Sequence, residues 1–181
     1  RTFTAPTVMV AAEPNIYNQN PTLFRDPSSG RYYLYWFRGL HNPDKWEIRV
    51  RGATTFEGLA LAPSKVIAYS PAVVAAPQMM FRNGKYYLAT ETLELNDWRT
   101  RVLIGSTPDG VFSEATNNPI LVDGAACFFQ HLFNNKLYSY FCKQSTSGTW
   151  TLDMRIEQSR SMRAGGGGTE QFGCLPPDAS E

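Results

Sequence analysis

The 181 residues carry 17 basic against 16 acidic side chains, and 43% of them are apolar, 13% aromatic, which is enough for one domain with a core of its own. No Lys/Arg run exceeds two and no basic stripe alternates with aromatics, so nucleic acid is set aside as a partner, and no apolar run reaches the about 18 residues of a membrane span. Three cysteines without a C-x-x-C pair and only two histidines lack the ligand spacing of a structural zinc site, and no cofactor is expected.

In chain order, the start at Arg1, with no signal-like segment, reads as that of a processed or partial product. Residues 6–12, PTVMVAA, read as a strand that could complete a sheet whose other strands lie elsewhere. A hairpin follows in PTLFRDPSSGRYYLYWF, turning through Asp26 to Gly30. The loop His41-Asn42-Pro43-Asp44-Lys45 leads into the Trp-led run WEIRVRGATT, then a turn at Phe56-Glu57-Gly58 and a strand over 65–69. The pattern then recurs. PQMMFRNGKYYLATE turns at Asn83-Gly84, whose residue types suit the positive φ of a type I′ hairpin. After it come the acidic loop Glu91, Glu94, Asp97 (read as solvated), the run WRTRVLIGST, a turn at Pro108-Asp109-Gly110, and a strand over 119–122. A third unit, FFQHLFNNKLYSYF and WTLDMRIEQS, has three strands and no evident fourth. After Met162 the run Gly165 to Gly168 reads as linker or tail.

The three runs are led by Trp46, Trp98 and Trp150, spaced by 52 residues each (98 − 46 and 150 − 98). Four antiparallel strands per repeat of that length describe a propeller blade. The fold class is therefore all-β, a β-propeller of about three four-stranded blades. The blades span about 20–71, 72–123 and 124–162, within a propeller domain of residues 1–162, followed by a Gly-rich tail of 163–181. Strand 6–12 is expected to close the last blade. The evenly spaced tryptophans read as blade-packing residues rather than ligand contacts.

The hairpin motifs resemble those of the five-bladed β-propeller glycosidases, the arabinanases, xylosidases, invertases and levansucrases. The likeness rests on APQMMFRNGKYYLAT at 76–90, DPSSGRYY at 26–33 and TPDGVF at 107–112, and runs over roughly 20–160. It implies three carboxylates at the inner ends of different blades, because an oxocarbenium-like transition state needs one group to protonate the leaving oxygen and another to activate water. The general base of the family corresponds here to Asn20, Ala76 and Cys127, its pKa-tuning aspartate to Thr22, Gln78 and Phe129, and its acid to Gln19, Ala75 and Ala126. None is a carboxylate, and amides do not shuttle protons at neutral pH. The nearest acid is Asp123, three residues out of register; Asp26 and Asp153 stand behind it as catalytic candidates if the chain is an enzyme.

The neutral polar row that remains, Gln19, Asn20, Thr22, Gln78, Gln130 and His131, together with rings such as Tyr17, Trp36, Phe128 and Phe129, suits carbohydrate. The leading expectation is thus a non-catalytic carbohydrate-recognition propeller on an extracellular surface or assembly. Two others stand beside it: a fragment of a glycoside hydrolase of arabinan, xylan or fructan type, and a structural propeller in a homo-oligomer or larger assembly. No metal site is expected, since Glu91, Glu94 and Asp97 match no calcium loop.

Cys127 and Cys142 pair across the third hairpin if its turn is Asn134-Asn135 and its register unbroken. Opposite Cα atoms then lie about 5.5 Å apart, within disulfide range. A disulfide and a pair of reduced thiols are both compatible with this spacing; a disulfide would place the chain in an oxidising compartment and leave Cys174 over.

Overall fold

The computed structural model describes residues 6–41, 44–70, 73–122, 124–134 and 136–156. Their eleven strands form three antiparallel sheets in sequence order. Blade 1 consists of β1 (Ile16–Arg25), β2 (Tyr32–His41), β3 (Asp44–Ala53) and β4 (Lys65–Ser70), with one 3-10 turn at Glu57–Ala60 before β4. Blade 2 consists of β5 (Val73–Arg82), β6 (Lys85–Glu94), β7 (Asp97–Gly105) and β8 (Phe112–Glu114). Blade 3 has β9 (Ala125–Phe133), β10 (Lys136–Gln144) and β11 (Trp150–Ile156), without a fourth strand among the described residues.

Strands β2 and β6 bury apolar side chains on both of their faces, and the blades stack through such faces. Tyr33, Tyr35 and Phe37 of β2, with Ile48 and Val50 of β3, bury against Val74, Met79, Tyr86 and Leu88 of blade 2. The opposite face of blade 2 supplies Tyr87, Ala89 and Val102, which bury against Phe128, Leu137 and Phe141 of blade 3. Hydrogen bonds cross the same seams: Tyr35 Oη donates to Pro108 O at 2.7 Å, and Thr100 Oγ1 to Ala125 O at 3.1 Å. Between the blades, β5 touches both β1 and β9, which makes these three the inner strands.

Local chemistry explains the hairpins. Asn83 (φ 50°) and Gly84 (φ 74°) adopt the left-handed backbone that a two-residue turn requires. In β2 a Cβ on Gly39 would stand 2.7 Å from the Trp46 ring, so only glycine lets the indole lie across the strand.

Three expectations are corrected. Residues 6–13 form no strand, and they lie on blade 1 rather than on the last blade: Met9 and Val10 pack beside Leu34, Trp36 and Leu59, and Glu13 pairs with Arg38 at 2.9 Å. The fourth strand of blade 2 is Phe112–Glu114, not 119–122. There the Asn118 side chain takes the ladder position, accepting from Val102 N at 2.8 Å and donating to Val102 O at 2.7 Å, while Leu121 makes a single bridge to Thr100. The acidic run is not a solvated loop. Leu95 and Asn96, both at positive φ, turn β6 into β7 within two residues, so Glu91 falls inside β6, 8% exposed. The tail 163–181 lies outside the described residues.

Candidate functional site

Each inner strand carries a β-bulge at an equivalent place. Asn20 and Pro21 together face Trp36, Ala76 and Pro77 face Thr90, and Cys127 and Phe128 face Phe141. The first residue of each pair is left-handed, with φ of 48°, 44° and 52°. Left-handed backbone costs an L residue with a Cβ about 1–2 kcal/mol, and only Asn among these three types tolerates it readily. Bulges re-aim side chains out of the pleat, and these fall on Asn20, Ala76 and Cys127, the inner-strand positions singled out in the sequence.

The bulges are tied across the blades. Thr22 Oγ1 donates to Pro77 O at 2.6 Å, joining the first bulge to the second. Glu91, buried on β6 opposite Ala75, reaches the third: its Oε2 accepts the Cys127 backbone N–H at 2.8 Å and the Cys127 thiol at 3.4 Å. Desolvation of the sulfur, the Glu91 charge and the neighbouring Cys142 push this thiol up to about 12, so it stays protonated and poorly nucleophilic. Asp97 Oδ1 accepts from Gly124 N at 2.8 Å and fixes the entry to β9.

Of the expected ligand-binding residues, Gln19 and Asn20 are exposed on β1, while Thr22 and Gln78 are half-buried beside the second bulge. Gln78 and Gln130 meet in a small, mostly apolar crevice between blades 2 and 3, lined also by Tyr87 and Phe128. Gln130 is buried and donates to Ser139 Oγ at 2.8 Å. His131 is exposed and shares the side of its sheet that turns away from blade 2 with Tyr138, apart from the bulges. Among the rings, Tyr17 and Phe129 are exposed, whereas Trp36 and Phe128 are in the core; Trp36 Nε1 donates to Asn18 Oδ1 at 2.9 Å.

Of the acidic candidates, Asp26 is buried in the β1–β2 turn, where it accepts from the backbone of Ser28 and Ser29 (both 3.1 Å), the Ser29 hydroxyl and Tyr86 Oη at 2.8 Å. Burial opposes its charge, but these donors outweigh burial and hold the carboxyl below its ordinary value. Asp153 is on β11, the strand of blade 3 farthest from the inner strands, and accepts from Thr151 Oγ1 at 3.3 Å. Asp123 lies outside the described residues. Among the described residues no three His, Cys, Asp or Glu side chains gather as metal ligands.

The expectation that Cys127 and Cys142 stand directly opposite each other is corrected. The expected register holds from Phe133↔Lys136 to Phe129↔Tyr140, then the bulge at 127–128 shifts it by one, so Cys142 faces Ala126. Both cysteines are free thiols. Sequence reasoning missed Glu91 as a site residue; the signal was its place two residues beyond Ala89 on the alternating β6 pattern, on the same face.

This fold is that of the β-propeller glycosidases. No family model matches the sequence, and no curated protein does. Among solved structures, a thermostable family-43 glycoside hydrolase superposes with a TM-score of 0.70 at 13% identity, covering 93% of this chain and 64% of its own. An exo-1,5-α-L-arabinanase from a bovine ruminal metagenomic library gives 0.59 at 15%, covering 81% and 55%. A family-43 β-xylosidase/α-arabinofuranosidase from a compost microbial metagenome, solved in complex with xylotriose, gives 0.55 at 16%, covering 77% and 46%. The chain thus spans less than two thirds of the length of each.

Proposed function

We propose that this chain is a carbohydrate-recognition propeller, related in fold to the glycosidases, which holds sugar at its inner-strand bulges without cleaving it and works on an extracellular surface or in an extracellular assembly. The observation that carries this reading is the side-chain chemistry of the three equivalent bulges: Asn20, Ala76 and Cys127 offer an amide, a methyl group and a protonated thiol. Hydrolysis of a glycosidic bond uses paired carboxylates about 5–10 Å apart. The one carboxylate at these bulges among the described residues, Glu91, is already engaged by Cys127. Exposed amides at Gln19 and Asn20, the half-buried amide of Gln78, and the exposed ring of Tyr17 supply the planar hydrogen-bonding groups and apolar face that sugars need.

A glycan-array screen of the purified chain, with turnover followed on every hit, tests the proposal. Binding of pentose oligosaccharides that are recovered intact is the expected outcome. Cleavage of any bound glycan overturns the non-catalytic part, and an array without hits overturns the recognition itself.

A further inference from the structure

The hairpin tips of the three blades gather cations that the sequence scatters. No Lys/Arg run exceeds two, yet the β1–β2, β5–β6 and β9–β10 turns all fall at one end of the molecule, because each sheet is laid down from its inner strand outward. Arg25 and Arg31 flank the first turn, Arg82 and Lys85 the second, and Lys136 closes the third. The first two turns touch, since Tyr86 Oη, beside Lys85, donates to Asp26 Oδ1 at 2.8 Å. Arg25, Lys85 and Lys136 are exposed, and none of them forms an ion pair among the described residues. The acids at this end are already engaged, apart from Glu57: Asp26 is buried among the donors of its own turn, and Asp109 pairs with Lys65 at 3.1 Å. The outer turns at the same end present apolar tips. Leu61, between β3 and β4, is 91% exposed, and Val111, between β7 and β8, is 88% exposed. Phe56 and Phe133 add half-exposed rings beside them.

We propose that this end docks on an anionic lipid surface, with the cations at the phosphate headgroups and Leu61 and Val111 entering the acyl boundary. Interfacial binding draws on both contributions, the apolar area buried and the attraction to anionic lipid. Charge complementarity and the apolar tips together select this occupant. A dissolved polyanion would match the cations and leave the tips in water, whereas a lipid surface takes up both. The bulges at Ala76 and Cys127 follow soon after the starts of β5 at Val73 and β9 at Ala125, so they lie toward the other end. A docked chain therefore keeps its bulges away from the lipid.

Sedimentation of the full 181-residue chain with vesicles tests this. Vesicles of equal parts phosphatidylcholine and phosphatidylglycerol are expected to carry the chain down in dilute buffer and to release it as salt rises. Phosphatidylcholine alone should leave it in solution. Lys85→Glu combined with Lys136→Glu should weaken the partition at least tenfold. Leu61→Ser combined with Val111→Ser should weaken it severalfold, with the remaining binding still sensitive to salt. All four side chains are exposed, so the far-ultraviolet dichroism of both variants should match the parent's. Equal sedimentation with the two kinds of vesicle, or either folded variant binding like the parent, would overturn the proposal. So would a chain that ignores both vesicles, whether because residues beyond 156 cover this end or because it is retained on an acidic polysaccharide instead.

Discussion

The Cys127 backbone N–H donates to Glu91 Oε2 at 2.8 Å, so a carboxylate of blade 2 holds the left-handed bulge of blade 3. The bond joins two strands 36 residues apart and explains how a non-glycine, non-asparagine residue is kept at φ 52°. Hydrogen bonds to charged groups contribute about 1.5–3 kcal/mol. Glu91→Ala is therefore expected to lower the unfolding free energy by about 2 kcal/mol, with Glu91→Gln milder because its amide oxygen still accepts. Urea unfolding of the two variants beside the parent chain measures this; equal midpoints for Glu91→Ala and the parent would contradict it.

The second bulge makes the opposite prediction. Ala76 holds φ 44° with no carboxylate among the described residues at its own N–H, so it carries the steric cost of left-handed backbone. Glycine is free of that cost, less the extra chain entropy it loses on folding. Ala76→Gly should raise stability by about 0.5–1 kcal/mol. Thermal unfolding of the variant is the check, and a lower melting temperature would show that the alanine methyl contributes more to packing than its backbone costs.

Acid should weaken blade 2 through Glu94. Its carboxylate accepts from Arg101 Nε at 2.6 Å and from Thr92 Oγ1 at 2.8 Å. The Arg101 pair, working against burial, lowers it from the ordinary 4.5 to about 2. A carboxyl depressed in the folded state contributes stability that is full above its unfolded pKa and lost as the pH falls through the folded one. The loss attributable to Glu94 thus spans pH 4.5 down to about 2. Glu94→Gln should cost about 1–2 kcal/mol at neutral pH and flatten the decline over that window. A variant whose pH profile parallels the parent's would contradict the assignment.

Much of this architecture was legible because it rests on local chemistry. Asn83-Gly84 marked its turn, and the even spacing of Trp46, Trp98 and Trp150 marked the strands that β3, β7 and β11 became. The inner-strand positions worth inspecting, Asn20, Ala76 and Cys127, came from the family resemblance, and the bulges fall on them. What stayed hidden depends on contacts across the fold. The turn at Leu95-Asn96 has a leucine where Asn or Gly is usual, so β6 and its buried Glu91 passed for a loop. A bulge adds one residue without a sequence mark at Cys127-Phe128, which moved Cys142 out of register. Asn118 stands in for a strand through its side chain, which no apolar alternation reveals. Trp150 shares the spacing of the other two tryptophans but not their burial, because no following blade covers it among the described residues.

The measurement that bears most directly on the central claim is calorimetric titration of xylo- and arabino-oligosaccharides into the parent chain and into Asn20→Ala/Gln78→Ala, with each mixture chromatographed afterwards. The parent chain should give a binding heat whose affinity falls at least tenfold in the double variant, with every oligosaccharide recovered at its original length. Undiminished binding by the variant would move the sugar away from the bulges, and shortened oligosaccharides would make the chain a hydrolase.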